Sequence, residues 1–116
     1  MEKMPRLRVA FFRTESGREP VRQWLKALPR AERRAIGEEI KTVQFGWPLG
    51  MPLVRKMEAD LWEVRVRLGD RIARVFFTTE QDVMVLLHGF IKKGQKTPKK
   101  ELELARKRLA QVKAER

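Results

Sequence analysis

Along the chain the apolar residues change period three times, and each change marks a new kind of element. The segment RLRVAFFR, residues 6–13, alternates polar and apolar positions before an aromatic pair, which predicts an opening strand. TESGREP breaks it. From Glu19 to Leu28 the apolar residues Val21, Trp24, Leu25 and Leu28 fall at i, i+3, i+4 and i+7, the stripe of a short helix. Pro20 sits near its start, where a missing N–H does no harm. After the turn at Pro29, RAERRAIGEEIKTVQFG predicts a second helix with Ile36, Ile40 and Val43 towards the core, stopped by Gly46 and Pro48. The two helices form a hairpin whose outer face carries Arg30, Arg33, Arg34, Glu38, Glu39 and Lys41, read as a solvated face.

Beyond GWPLGMP the period drops to two, predicting strands near 53–58, 61–68, 71–79 and 83–91. The breaks AD, LGD and TEQD are short and rich in hairpin-forming residues, so the strands form a meander. In LWEVRVRLG, Leu61, Glu63, Arg65 and Arg67 lie on one face and Trp62, Val64, Val66 and Leu68 on the other. Such a strand covers a core with one face and shows a charged face outward. RIARVFFTT sets Arg74 among apolar neighbours, and VMVLLHGFI is almost continuously apolar, as a central strand is.

The last segment, TPKKELELARKRLAQVKAER, predicts a helix with Thr97 as N-cap, Pro98 at the first helical position, and Leu102, Ala105, Leu109 and Val112 as its apolar stripe. The order strand, two helices, four strands, helix gives an α+β fold: a mostly antiparallel sheet packed against an N-terminal helical hairpin, with a C-terminal helix. Residues 1–116 read as a single domain. The first strand must rejoin the sheet after the helical excursion, and a position parallel to a central strand is open to it.

Charge changes the picture. The chain has 27 Lys and Arg against 15 Asp and Glu, a formal net charge of +12, which favours a polyanionic partner. With no cysteine there is no disulfide framework, thiolate metal site or thiol nucleophile, and the single His excludes a multi-histidine metal centre. No run approaches a membrane span of about 20 apolar residues, and no signal-peptide core is present, so a soluble, cytoplasmic protein without cofactor or metal is expected.

The candidate chemistry gathers where the sheet ends. Glu63, Arg65 and Arg67, then Arg74, then His88 with Lys92, Lys93 and Lys96, can converge on one sheet surface, flanked by Arg71 and Lys99. Arginine forks grip phosphate oxygens in pairs and lysines add point charge. For RNA cleavage by the ribose 2′-OH, the set stabilises the charge of a pentacoordinate phosphate, with Glu63 or His88 available to move protons. Arg65 and Arg67 beside Glu63 are equally read as an ordinary solvated face, His88 as a structural histidine, and the lysines as charges that only steer an anion. Trp24, Trp62 and Phe90 fall on apolar faces and read as core.

LWEVRVRLGDRIARVFF followed by VMVLLHGFIKKGQKTPKKELELARKR resembles the HigB-type, phage-derived branch of the RelE/ParE toxin superfamily, and EPVRQWLKALP resembles that family's first helix. The resemblance implies a RelE-like sheet on a helical hairpin and a ribosome-dependent mRNA endonuclease, the toxin of a type II toxin–antitoxin pair; the carboxylates, scattered and mostly on helix surfaces, argue for a metal-independent one. It also implies a helix-turn-helix, HigA-like antitoxin bound in a hetero-oligomer. Matched by motif position, Arg65, Arg67 and Arg74 fall where such toxins hold the mRNA phosphate, and Lys92 or Lys93 falls near the basic residue ending the last strand. The chain departs from some relatives in having no tyrosine, so Glu63 and His88 stand in as inferred proton-transfer groups. On this reading Arg74→Ala removes growth arrest and RNA cleavage and leaves the fold intact. Two other functions fit the same fold: a noncatalytic module binding nucleic acid or an acidic antitoxin, and a ParE-like inhibitor of DNA gyrase.

Overall fold

The computed structural model describes residues 4–94 and 96–115. The chain runs β1 (Arg8–Phe11), α1 (Pro20–Ala27), α2 (Arg30–Gly46), β2 (Val54–Glu58), β3 (Leu61–Leu68), β4 (Arg71–Glu80), β5 (Val83–Lys92) and α3 (Lys99–Ala114). The strands form one sheet in the order β1-β5-β4-β3-β2, antiparallel except where β1 runs parallel to β5. The α+β expectation therefore holds, and the first strand's place is the outer side of β5. That strand is four residues long; the next residue, Phe12, still donates its N–H to the Leu86 carbonyl at 2.9 Å and puts its side chain into the second core.

Two cores flank the sheet. Against one face α1 and α2 press Val21, Ile36, Ile40 and Val43 onto Val64, Val66, Val75, Phe77, Met84 and Leu86. Trp62 and Phe77 stack 5.8 Å apart there, and Trp47 meets Trp62 edge-on at 5.1 Å. Against the other face α3 lays Ala105 and Leu109 over Leu61, Phe76, Leu87 and Phe90. Trp24 and Trp62 pack against the first core and Phe90 lies in the second, as their positions in the pattern predict.

Polar clamps fix α3 in place. Arg106 makes a bidentate pair with Glu58, with Nε and Nη2 donating over 2.8 to 3.0 Å, and Lys113 donates to Asp60 at 2.8 Å. Arg108 donates to the Leu87 carbonyl at 2.8 Å and covers the Phe12 ring at 5.4 Å. The helix starts one residue later than the sequence suggests. Pro98 holds the N-cap position with ψ 141°, and the Thr97 hydroxyl, instead of capping, donates to Glu63.

One irregularity matters for the site. β4 and β5 lose register between Phe76 and Phe77, which pair with His88 and Leu86, so Leu87 is an extra residue in β5. Met84 and Leu86 face the helical hairpin, and strict alternation would send His88 the same way. The bulge re-aims it, so that both Leu87 and His88 face α3. Gly89 then faces α1, where a Cβ would overlap the Trp24 ring, 2.6 Å from its Cε3.

Candidate nucleic-acid interface

Register builds the site on the α3 side of the sheet, at the end that α3 leaves free. Arg65 stands directly opposite Arg74, and Arg74 opposite Phe90; in the next row Arg67, Ile72 and Lys92 lie side by side. The expected open face is covered over its first row. Glu63 and Arg74 have no exposed surface, and Arg65 keeps 16% of its side-chain surface.

The cover is the segment after β5. Arg74 donates from Nη2 to the Gly94 carbonyl at 3.1 Å and from Nη1 to the Lys96 carbonyl at 3.4 Å. Glu63 lies between two arginines, with Oε1 3.6 Å from Arg65 Nε and Oε2 3.6 Å from Arg74 Nε. Its Oε2 also accepts from Thr97 at 2.9 Å. Two like charges opposite each other in a sheet repel, and a carboxylate between them cancels that cost. Burial pushes the Arg74 pKa down, Glu63 pulls it back up, and Arg65 and Arg55 lower it further. Arg74 is therefore a buried clip that anchors the segment after β5, with its donors turned to the protein's own carbonyls.

His88 is also spoken for. Its ring lies between Phe76 and Phe90, 6.3 and 5.9 Å away between centroids, and its Nε2 is 2.8 Å from Glu101 Oε1 on α3. Burial lowers its pKa more than Glu101 restores it, so at neutral pH the imidazole is uncharged and donates from Nε2 to the carboxylate. Glu63 and His88 sit on either side of Phe76 in one cross-strand row, about 10 Å apart at the usual strand spacing. The structure does not bring them together as a proton-transfer pair.

What remains exposed is a cationic rim. Arg67 and Lys92 flank Ile72, Lys96 lies on the covering segment with its carbonyl held by Arg74, and all three are exposed. Among the described residues none of these three side chains has a hydrogen bond or ion pair to the protein. Lys93 is exposed but pairs with Asp70 at 3.1 Å, and Lys99 leans along α3 to Glu103 at 4.0 Å. Arg71 points to the opposite face, where it pairs with Glu32 of α2. Both Lys99 and Arg71 thus stand apart from the rim.

The sequence reading missed two contributors. Arg55 on β2 is the cross-strand partner of Glu63 and exposed on the same face. Its register depends on the irregularity between Lys56 and Glu58, which no local pattern announces. Glu39, assigned to the outer face of the hairpin, instead lines a cleft of about 260 Å³ with Pro52, Leu53, Arg65, Arg67 and Ile72.

Comparison with known proteins places this arrangement in a family. Residues 23–110 match the family described as phage derived protein Gp49-like. The chain belongs to that family. The matched stretch runs from α1 through most of α3, so the Gp49-like segment includes the buried clip, the rim and the cleft. Among solved structures, a chain of the archaeal RelE-RelB complex from Pyrococcus horikoshii OT3 is similar at 21% identity, over 79% of this chain and 99% of that one, with a TM-score of 0.47. No curated protein matches the chain.

Proposed function

We propose that this Gp49-like protein is a HigB-type toxin of a type II toxin–antitoxin pair and acts as a metal-independent endoribonuclease on mRNA at the ribosome. The observation that carries the reading is the rim: Arg67, Lys92 and Lys96 exposed at one sheet end, without protein partners among the described residues. Unpartnered cations on a +12 chain attract phosphate, and an arginine fork held on a strand gives that attraction a direction. Membership of a phage-derived family and the toxin-like motifs LWEVRVRLG and LLHGFIKKGQKTP are in keeping with it.

In this mechanism the ribose 2′-OH attacks the adjacent phosphorus, the P–O5′ bond breaks, and a cyclic phosphate and a 5′-hydroxyl result. Arg67 and Lys92 hold the nonbridging oxygens as negative charge builds on them, and Arg65 adds its field from below. Glu63 and His88 are both engaged elsewhere, so proton transfer falls to water or to groups of the ribosome. The chain then contributes binding, orientation and charge, and cleaves free RNA slowly. The partner that neutralises it is a helix-turn-helix, HigA-like antitoxin presenting an acidic segment to the rim.

A noncatalytic RNA-binding module is the second reading, favoured by the burial of Glu63 and Arg74. Cutting separates the two. Translating extracts treated with the purified protein yield new mRNA ends that persist in EDTA if it is a metal-independent nuclease. Salt-sensitive binding without new ends supports the module instead.

A further inference from the structure

The cleft beside the rim carries a chemistry that phosphate binding does not explain. It opens where β2 begins: Val54 is the first residue paired to β3, and Arg65 N–H donates to the Leu53 carbonyl at 2.8 Å. From there Arg67 lines a wall, Ile72, Leu53 and Pro52 give apolar surface, and Glu39 of α2 supplies a carboxylate. Glu32 and Glu39 are two turns apart on the same side of α2, yet their situations differ. Glu32 is taken up by Arg71, whereas Glu39 is half-buried and makes no hydrogen bond or ion pair among the described residues, although two arginines line the same cleft.

A carboxylate at this place repels phosphate, so its ligand is a donor. The geometry points to a base-reading subsite that accepts one unpaired guanine. This inference rests on the reading of the rim as an RNA site and names what that site selects. Guanine alone among the RNA bases offers two adjacent donors, N1–H and N2–H, which the two oxygens of Glu39 can accept together. Its other edge offers the acceptors O6 and N7, which suit the positive field of Arg65 in the same cleft while Arg67 keeps its fork for the phosphate. Apolar walls suit the face of an unstacked base, the usual way single-stranded RNA is read. Adenine and cytosine present a single exocyclic amine and uracil a single N–H, so each leaves one Glu39 oxygen unsatisfied.

The test measures binding to short single-stranded RNAs identical except for one central guanosine, inosine or adenosine. Inosine lacks only the N2 amine. The full chain is expected to bind the guanosine RNA about tenfold more tightly than either other, since a hydrogen bond to a charged group carries that much. Glu39→Gln should erase the guanosine–inosine difference and retain salt-dependent binding, while Arg67→Ala should weaken all three RNAs. Equal affinity for the three in the unaltered chain, or discrimination that survives Glu39→Gln, overturns the inference. Mapped cleavage sites separate it from the nuclease reading. Cuts lacking a guanine at a fixed offset sink the subsite alone, whereas guanine-selective binding without cuts sinks the nuclease alone.

Discussion

Glu63 Oε2 lies 3.6 Å from Arg74 Nε, diagonally across two central strands, and neither residue has any exposed surface. A buried pair of this kind holds together what surrounds it, and removing one partner strands the other charge away from water. Arg74→Ala is therefore expected to destabilise the protein by about 3–5 kcal/mol, read from its urea midpoint. It also frees the segment at Gly94 and Lys96, so loss of toxicity in that variant reports unfolding as much as chemistry. Pairing Arg74→Met with Glu63→Leu should cost less than the sum of the single changes, and strict additivity would mean the two are not coupled.

Glycine at 89 is required by Trp24. Its Cβ position is occupied by the indole, so Gly89→Ala must displace α1 or the strand and should cost about 1–3 kcal/mol. Denaturation of Gly89→Ala with and without Trp24→Ala checks this: the second change should remove the added cost of the first. An unaltered midpoint for Gly89→Ala would show that the indole moves aside freely.

His88 gives the stability a pH dependence. Its folded pKa is below the ordinary 6.5, so the unfolded chain binds the proton more readily. The contribution is complete above pH 6.5 and is lost as pH falls from there towards the folded value. His88→Gln, which keeps a donor for Glu101, should flatten this part of the stability curve. A slope that remains after the substitution would assign the effect to another group.

The rim separates binding from folding. Arg67→Ala and Lys92→Ala each remove an exposed cation and should leave stability within about 0.5 kcal/mol. Each should weaken RNA binding regardless of sequence and reduce the slope of log K against log salt by about one. Filter binding over a salt series decides it, and an unchanged slope would place the RNA elsewhere.

The sequence made the elements legible because their signals are local. α2 spans Arg30–Gly46 as predicted, since Pro29 and Gly46 bound an uninterrupted stripe of Ile36, Ile40 and Val43. The meander was equally readable from alternation and short turns, down to Leu61–Leu68. What covers a strand face is not local. Alternation put Glu63 with Arg65 and Arg67 correctly on one face, but Gly94, Lys96 and Thr97, distant in sequence, lie over the first row and make Arg74 internal. One extra residue at Leu87 decides which way His88 points, and the offset after Lys56 decides where Arg55 lies. Of the residues proposed from sequence to meet the RNA, Arg67, Lys92 and Lys96 stay on the rim, and Arg65 lines the cleft beside it.

We propose that the exposed rim, and not the buried arginine, meets the RNA. The most direct measurement is primer extension across an abundant mRNA after inducing the protein in growing cells, comparing the unaltered chain with a variant carrying Arg67→Ala, Lys92→Ala and Lys96→Ala. Circular dichroism and a thermal melt would confirm that the variant remains folded. The account predicts growth arrest with new mRNA ends for the unaltered chain and neither for the variant. The same ends at the same intensity in the folded variant, or arrest without any new ends, would contradict it.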